Sequence, residues 1–414
     1  MRTFKTFVVV ASLLMTNAAE RQTLPTGDWR GEFVLQNSKR IPFNFVVEGK
    51  SPQTLRVSLK NGKERAPLDS VYFKGDSVVI GISIYDAVLV AKLSDKSLNG
   101  FLRKNQSPTK GLPFEAIHNQ NFRFKTEGKS ATSSVSGKWS VTLTTERDGA
   151  SSARYTVGLL EQEGSKVTGT ILTTTGDYRY LEGVVDGTKL RMSAFSGSSP
   201  TMIEADIKNR NELSGEFISP GGTVRLEAVK NDTAKLPDPY RLTHLRQGYD
   251  RLSFSFPNLN GKSVSLKDEK YKGKVVILTV LGSWCPNCID EAAFLAPWYK
   301  QNNRRGVEIV GVAFERKDDF NFAKSRLDNL VRRFDIKYDI LFAGIADKKV
   351  AAEKFPELNT FLSFPTTLFI DKKGKVRKVH TGYTGPATGE YYEDFIKEFN
   401  DEVTALLNES PDTL

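Results

Sequence analysis

Both cysteines of this 414-residue chain lie three positions apart, in LGSWCPNCIDE (residues 281–291). An apolar run, KVVILTVLG (274–282), leads into them and a helix-like pattern follows. A buried strand that hands directly to a cysteine-bearing helix start narrows the choice of folds, because such runs belong to parallel sheets with helical crossovers. It narrows the chemistry too. A bridge between Cys285 and Cys288 closes a tiny loop, and the chain-entropy gain of a disulfide grows with loop length, so stapling is a weak reason to keep the pair. A closed zinc site wants four ligands, whereas His118, His244 and His380 are scattered along the sequence. Redox chemistry remains, with no cofactor and no metal expected.

The N-terminus bears on the compartment. Residues 1–19, MRTFKTFVVVASLLMTNAA, run from basic Arg2 and Lys5 through an apolar stretch to small residues, the pattern of a secretory signal peptide cleaved near Ala18 or Ala19. A membrane span needs about 20 apolar residues, so no transmembrane anchor is expected in the mature chain. Export to the periplasm suits a redox-active pair. The net charge of +10 is spread along the chain without a Lys/Arg block, which argues against nucleic acid as a partner.

A repeat precedes the cysteines. GDWRGEF at Gly27 returns as GKWSVTL at Gly137, FKGDSVVI at Phe73 as VDGTKLRM at Val185, and LNGFL at Leu98 as LSGEF at Leu213, at offsets of 110, 112 and 115 residues. Two tandem copies of one domain follow, residues 24–119 and 133–230, separated by the serine-rich KSATSSVSG. Each copy alternates apolar and polar residues, with turn residues every eight to twelve positions, as antiparallel β-meanders closed into a barrel or sandwich do. The opening Gly-x-Trp and the meander resemble small lipocalin-like barrels. That likeness raises a ligand cup as one use, against Trp29 and Trp139 as plain core residues.

After a linker, residues 231–250, the texture changes to alternating strands and helices. Strands are predicted at Lys274–Gly282, Glu308–Glu315 and Thr366–Asp371, and helices from Ile289 to Gln301, Phe320 to Phe334 and Tyr391 to Leu407. This order predicts an α/β thioredoxin-like domain over residues 251–414, expected to fold alone, so the chain reads as two β-meander domains followed by a redox domain.

Taken together, KGKVVILTVLGSWCPNCIDE, the helix proline Pro297, FPTTLFIDKKGKV around Pro365 and the preceding FSFPNLNGKSVSLKDEKYKGK resemble the TlpA/ResA-like thiol-disulfide oxidoreductases over residues 251 to about 410. The residues themselves give Cys285 as nucleophile, since a helix start offers unpaired N–H groups and the positive end of a dipole to a thiolate. Cys288, on the same face, is the resolving thiol. Glu291 lies one turn further on. The resemblance implies that it contributes to the active site, while the residue alone reads equally as dipole complementation. Thioredoxins carry a buried acid six residues before the first cysteine; Thr279 stands there instead. The resemblance also implies a cis bond at Pro365 beside the cysteines, with Phe364 offering backbone to an extended substrate. Trp284 is expected to flank the site or to serve only as packing, and Glu315 to reach the site's edge.

These features predict a disulfide reductase whose partners are a disulfide-bearing protein substrate and an external thiol donor, such as a membrane thiol transporter, because the chain has no third cysteine. Two alternatives use fewer of them. Peroxiredoxins share the fold but need Thr or Ser three residues before the reactive cysteine, where Gly282 stands. A ligand- or partner-binding protein would place the function in the β domains.

Overall fold

The computed structural model describes residues 23–104 and 107–409. The proposed signal peptide lies outside them. The first repeat is a curled sheet of nine antiparallel strands from Gly27–Val34 to Ser107–His118. Its first strand pairs with its last, Trp29 opposite His118. The second repeat closes: eight of its strands, from Gly137–Arg147 to Gly222–Lys230, form a barrel in which Trp139 lies opposite Lys230. The likeness of the two patterns is visible in one contact. The Trp29 indole donates to the Pro25 carbonyl at 3.0 Å, and the Trp139 indole to the Val135 carbonyl at 2.9 Å, four residues back in each case. Both rings are fully buried, as core residues rather than walls of a cup. The barrel interior leaves only about 20 Å³ beside Trp139, room for little more than one water and far below the ~300 Å³ at which ligand sites begin.

The third unit is a five-stranded sheet in the order Asp339–Ile345, Val307–Glu315, Val275–Leu281, Thr366–Ile370, Val376–Thr381. The first three strands run parallel, Thr366–Ile370 pairs antiparallel with Val275–Leu281, and Val376–Thr381 pairs antiparallel with Thr366–Ile370. Val275–Leu281 is central and buried at every position, which is why its sequence is continuously apolar instead of alternating. Helices Pro286–Asn302, Phe320–Phe334, Lys348–Lys354 and Glu390–Asn408 supply the crossovers and cover the sheet. Among the described residues no helix is long and apolar enough to cross a membrane.

Residues 231–250 do not hang free between the units. Leu245 bridges to Leu358, the Arg246 N–H donates to the Glu357 carbonyl at 2.8 Å, and the Thr381 N–H donates to the Pro239 carbonyl at 3.1 Å. The core of the first sheet is continuous with that of the α/β unit.

Candidate active site

The central strand ends at Leu281, and the turn after it is closed by the Cys285 N–H donating to the Gly282 carbonyl at 3.1 Å. Cys285 is the N-cap of the next helix, its sulfur accepting the Cys288 N–H at 3.3 Å. Pro286 occupies the first helical position, where no N–H is required. Both cysteines are unbridged. The Cys285 thiol donates to the Phe364 carbonyl at 3.4 Å, and the Phe364–Pro365 bond is cis. One sulfur thus meets the helix start and the strand entry from which residues 364 and 365 project.

Reactive cysteines are ordinarily partly exposed, but Cys285 is only 5% exposed and Cys288 1%. Residues of the β domains gather beside the helix start, an arrangement that no local sequence pattern signals. Tyr85, from the first sheet, is buried close enough to Cys285 for their charges to interact. From the barrel, Arg179 forms ion pairs with Asp290 of the active-site helix at 2.8 Å and with Glu64 of the first sheet at 2.6 Å, tying three units together. Gly176, at φ +145°, lies so near the Asn287 side chain that a β-carbon there would fall 1.9 Å from Nδ2. Burial holds the Tyr85 phenol protonated well above its ordinary range; Arg179 opposes this, and Asp290 and Cys285 reinforce it.

Glu291 is buried behind the cysteines, its two oxygens accepting from the hydroxyls of Thr279 and Thr367 at 2.5 Å each. Thr279, on the central strand, therefore holds the acid that the helix supplies. Burial pushes Glu291 up to about 7, against the pull of the two hydroxyls. Cys288 is driven well above an ordinary thiol by burial first, then by Cys285, with Glu291 adding to the shift. A thiol this reluctant to ionise needs a base before it can attack, and an acid that titrates near neutrality is suited to that task.

Trp284 is half-buried. Its indole donates to the Phe314 carbonyl at 2.9 Å, its ring meets Phe364 edge-on at 5.5 Å, and the Arg316 guanidinium lies 4.4 Å above it. Glu315 accepts from the Ser283 N–H at 2.8 Å and hydroxyl at 2.9 Å, and burial pushes its carboxyl up to about 7. Each sequence-derived candidate (Trp284, Cys285, Cys288, Glu291, Phe364 and Pro365) falls within this one constellation, with Glu315 at its edge. Tyr85, Arg179 and Asp290 were missed. Asp290 is legible only as a second acid beside Glu291, and no local pattern connects Arg179 to it across 111 positions.

Gly282 settles a further point of chemistry. A β-carbon there would lie 2.3 Å from the Trp284 indole nitrogen and 2.8 Å from the Phe314 carbonyl oxygen. A Thr or Ser here would force this packing to shift, so position 282 offers no hydroxyl of the kind that the peroxiredoxin alternative needs.

The AhpC/TSA family matches residues 248–379. The thiol-disulfide oxidoreductase ResA of Bacillus thuringiensis subsp. konkukian is 30% identical over 154 residues, spanning 36% of this chain and 77% of that protein. ResA of Bacillus subtilis is 29% identical over 153 residues, 37% of this chain and 77% of that protein. Among solved structures, a thioredoxin-family thiol:disulfide interchange protein of Chlorobium tepidum is 23% identical, covers 39% of this chain and 99% of its own, and has a TM-score of 0.30. With its Cys-x-x-Cys pair at the start of a helix on a thioredoxin-like sheet, the chain belongs, through its C-terminal domain, to the ResA/TlpA-related thiol-disulfide oxidoreductases.

Proposed function

We propose that this chain is an exported reductase of protein disulfides, with Cys285 as nucleophile, Cys288 as resolving thiol and Glu291 as the acceptor of the Cys288 proton. The observation that carries the reading is the placement of the Cys285 sulfur, which touches both the Cys288 N–H and the Phe364 carbonyl. The Cys285 thiolate attacks one sulfur of a substrate disulfide; a mixed disulfide forms and the other substrate sulfur leaves as a thiolate. Cys288 passes its proton to Glu291 and attacks the Cys285 sulfur. The mixed disulfide breaks, the second substrate thiol departs, and the substrate has gained two electrons at the expense of a Cys285–Cys288 bridge. An external thiol donor, for which a membrane thiol transporter is suited, returns the two electrons. Backbone at Phe364 and Pro365 and the Trp284 ring form the substrate's landing surface. The export pattern of residues 1–19 supports a periplasmic setting.

Trapping tests the assignment. Cys288→Ala should accumulate mixed disulfides with partner proteins in cells, and Cys285→Ala none; equal trapping by both would reverse or dissolve the roles. The direction of electron flow is tested by the potential of the pair. A value near about −270 mV fits a reductase, and one near about −120 mV would make the protein an oxidant.

A further inference from the structure

A cavity of about 1100 Å³ opens where the first sheet, the barrel and the α/β domain meet. Trp284, which adjoins Cys285 in sequence, lines it from one side, and Tyr85, buried beside Cys285, lines it from the other. The cleft therefore flanks the residue that precedes Cys285, and neither cysteine lines it. Its volume exceeds the ~300–1,000 Å³ of sites for small molecules, and three domains contribute walls, as for a length of chain rather than a compact ligand.

The charges lining the cleft are unequal in sign. Arg326 is already paired with Asp86. Glu315 is engaged by Ser283. Lys104, Lys110 and Arg316 have no ion-pair partner among the described residues. Lys104 donates to the carbonyls of Tyr85 at 3.5 Å and Ser198 at 3.2 Å, which pins it at the seam of sheet and barrel and leaves one of its three donors to spare. Burial pulls Lys104 down to about 8; the positive charge of Arg316 contributes in the same direction and Asp86 opposes it, so the two cations lie close enough to repel. Arg316 also rests on the Trp284 ring, so an anion drawn to it is held beside the residue that precedes the nucleophile.

We propose that this cleft docks an extended, acidic segment of the protein whose disulfide Cys285 attacks, with Lys104, Lys110 and Arg316 recognising its carboxylates. The proposal rests on the reading of Cys285 as the nucleophile of a disulfide reductase and adds the class of substrate. Carboxylates relieve the repulsion between the cations, while the apolar faces of Trp284 and Tyr85 contact the chain between them. The β domains then act as a specificity device that the ResA-like part alone does not contain.

The test uses the pre-reduced mature protein and three peptides of equal length. Each bears one cysteine in mixed disulfide with the same chromogenic thiol, and the cysteine is flanked by Glu, Gln or Lys. The second-order rate constant for the Glu peptide should exceed that for the Lys peptide by about tenfold at low salt, through tighter saturation rather than a faster step. The preference should collapse at about 1 M salt, where the screening length shrinks to about 3 Å. Arg316→Glu and, independently, Lys110→Glu should each shrink or invert the Glu-to-Lys ratio; both positions are exposed, and a melting curve confirms that each variant is folded. Reduction of all three peptides at equal rates, or a preference indifferent to salt and to both substitutions, would overturn the acidic-segment proposal while leaving the reductase standing. Failure to reduce any peptide would overturn both.

Discussion

At the scale of single residues, Glu291 carries the sharpest consequence. Its carboxyl, ordinarily near 4.5, is pushed up to about 7 by burial, which corresponds to a penalty on the order of 3 kcal/mol for holding it ionised in the folded state. The sign follows from which state keeps its proton. Between about pH 4.5 and 7 the unfolded chain has released the proton and the folded chain has not, so stability falls as pH rises through that window and levels off above it. Glu315, also pushed to about 7 by burial, contributes in the same direction. Glu291→Gln keeps the shape and removes the charge. The loss of stability between about pH 5 and about pH 7.5, read from urea midpoints, should be smaller than in the wild type. The release of substrate from a preformed mixed disulfide should slow by about tenfold or more and lose its inflection near neutrality. An unchanged inflection would reduce Glu291 to a buried spacer. Much of this site was legible in the sequence because helix spacing alone puts positions 285, 288 and 291 on one face. What was not legible is that Thr279 and Thr367, from two different strands, would hold the carboxyl, since a strand residue's partner across the core leaves no mark in its own neighbourhood.

At the scale of elements, the active-site helix is fixed at its start from two directions. Cys285 caps it from within, and Arg179 clamps Asp290 from the barrel. Both members of the ion pair are mostly buried, with side chains 19% and 12% exposed, so breaking it leaves a carboxylate without its partner in a poor solvent. Arg179→Met should cost about 3 kcal/mol, and Asp290→Asn in the same chain should restore part of the loss. Additive losses in that double-mutant cycle would show that the contact contributes nothing to stability. Element type was readable wherever periodicity was long, as in Phe320–Phe334, which matches its predicted limits. The strand Asp339–Ile345 and the short helix Lys348–Lys354 were missed. The strand lies at the sheet edge and the helix is two turns long, so neither carries a long apolar pattern. Barrel closure was equally hidden. Both repeats have the same strand texture, yet only the second pairs its strands all the way round. In the first, the strands Glu64–Pro67 and Ser70–Lys74 stand at opposite free edges. Pro67 ends one of them without an N–H to donate, and the next two N–H groups, of Leu68 and Asp69, turn to the Val57 and Gly81 carbonyls.

At the scale of the whole molecule, the sequence suggested a redox domain that is chemically independent of two cysteine-free β repeats. The repeats indeed contribute no thiol, but they lie over the start of the helix that carries both cysteines. Tyr85, Gly176 and Arg179 close over the helix start, and residues 231–250 are bonded to the α/β domain by backbone contacts to Glu357, Leu358 and Thr381. Two fragments separate these effects. One beginning at Lys235 keeps the backbone contacts of Pro239, Leu245 and Arg246, whereas one beginning at Arg251 loses them and leaves the Thr381 N–H, in a buried residue, without its acceptor. The longer fragment should therefore melt at the higher temperature, because an orphaned buried donor costs about 1–3 kcal/mol. Both lack the cover over Cys285. If reaction in the full chain requires the domains to part, an opening free energy of only ~1.4 kcal/mol slows the thiol tenfold, so iodoacetamide should label Cys285 at least about tenfold faster in a folded fragment than in the full chain. The rate with an uncharged small disulfide should rise in the same proportion, while the preference for acidic peptides should vanish with Lys104 and Lys110. Equal labelling rates in fragment and full chain would mean that the β domains do not shield Cys285. Their contact with the helix start would then be structural, and access to Cys285 would be governed by the α/β domain alone.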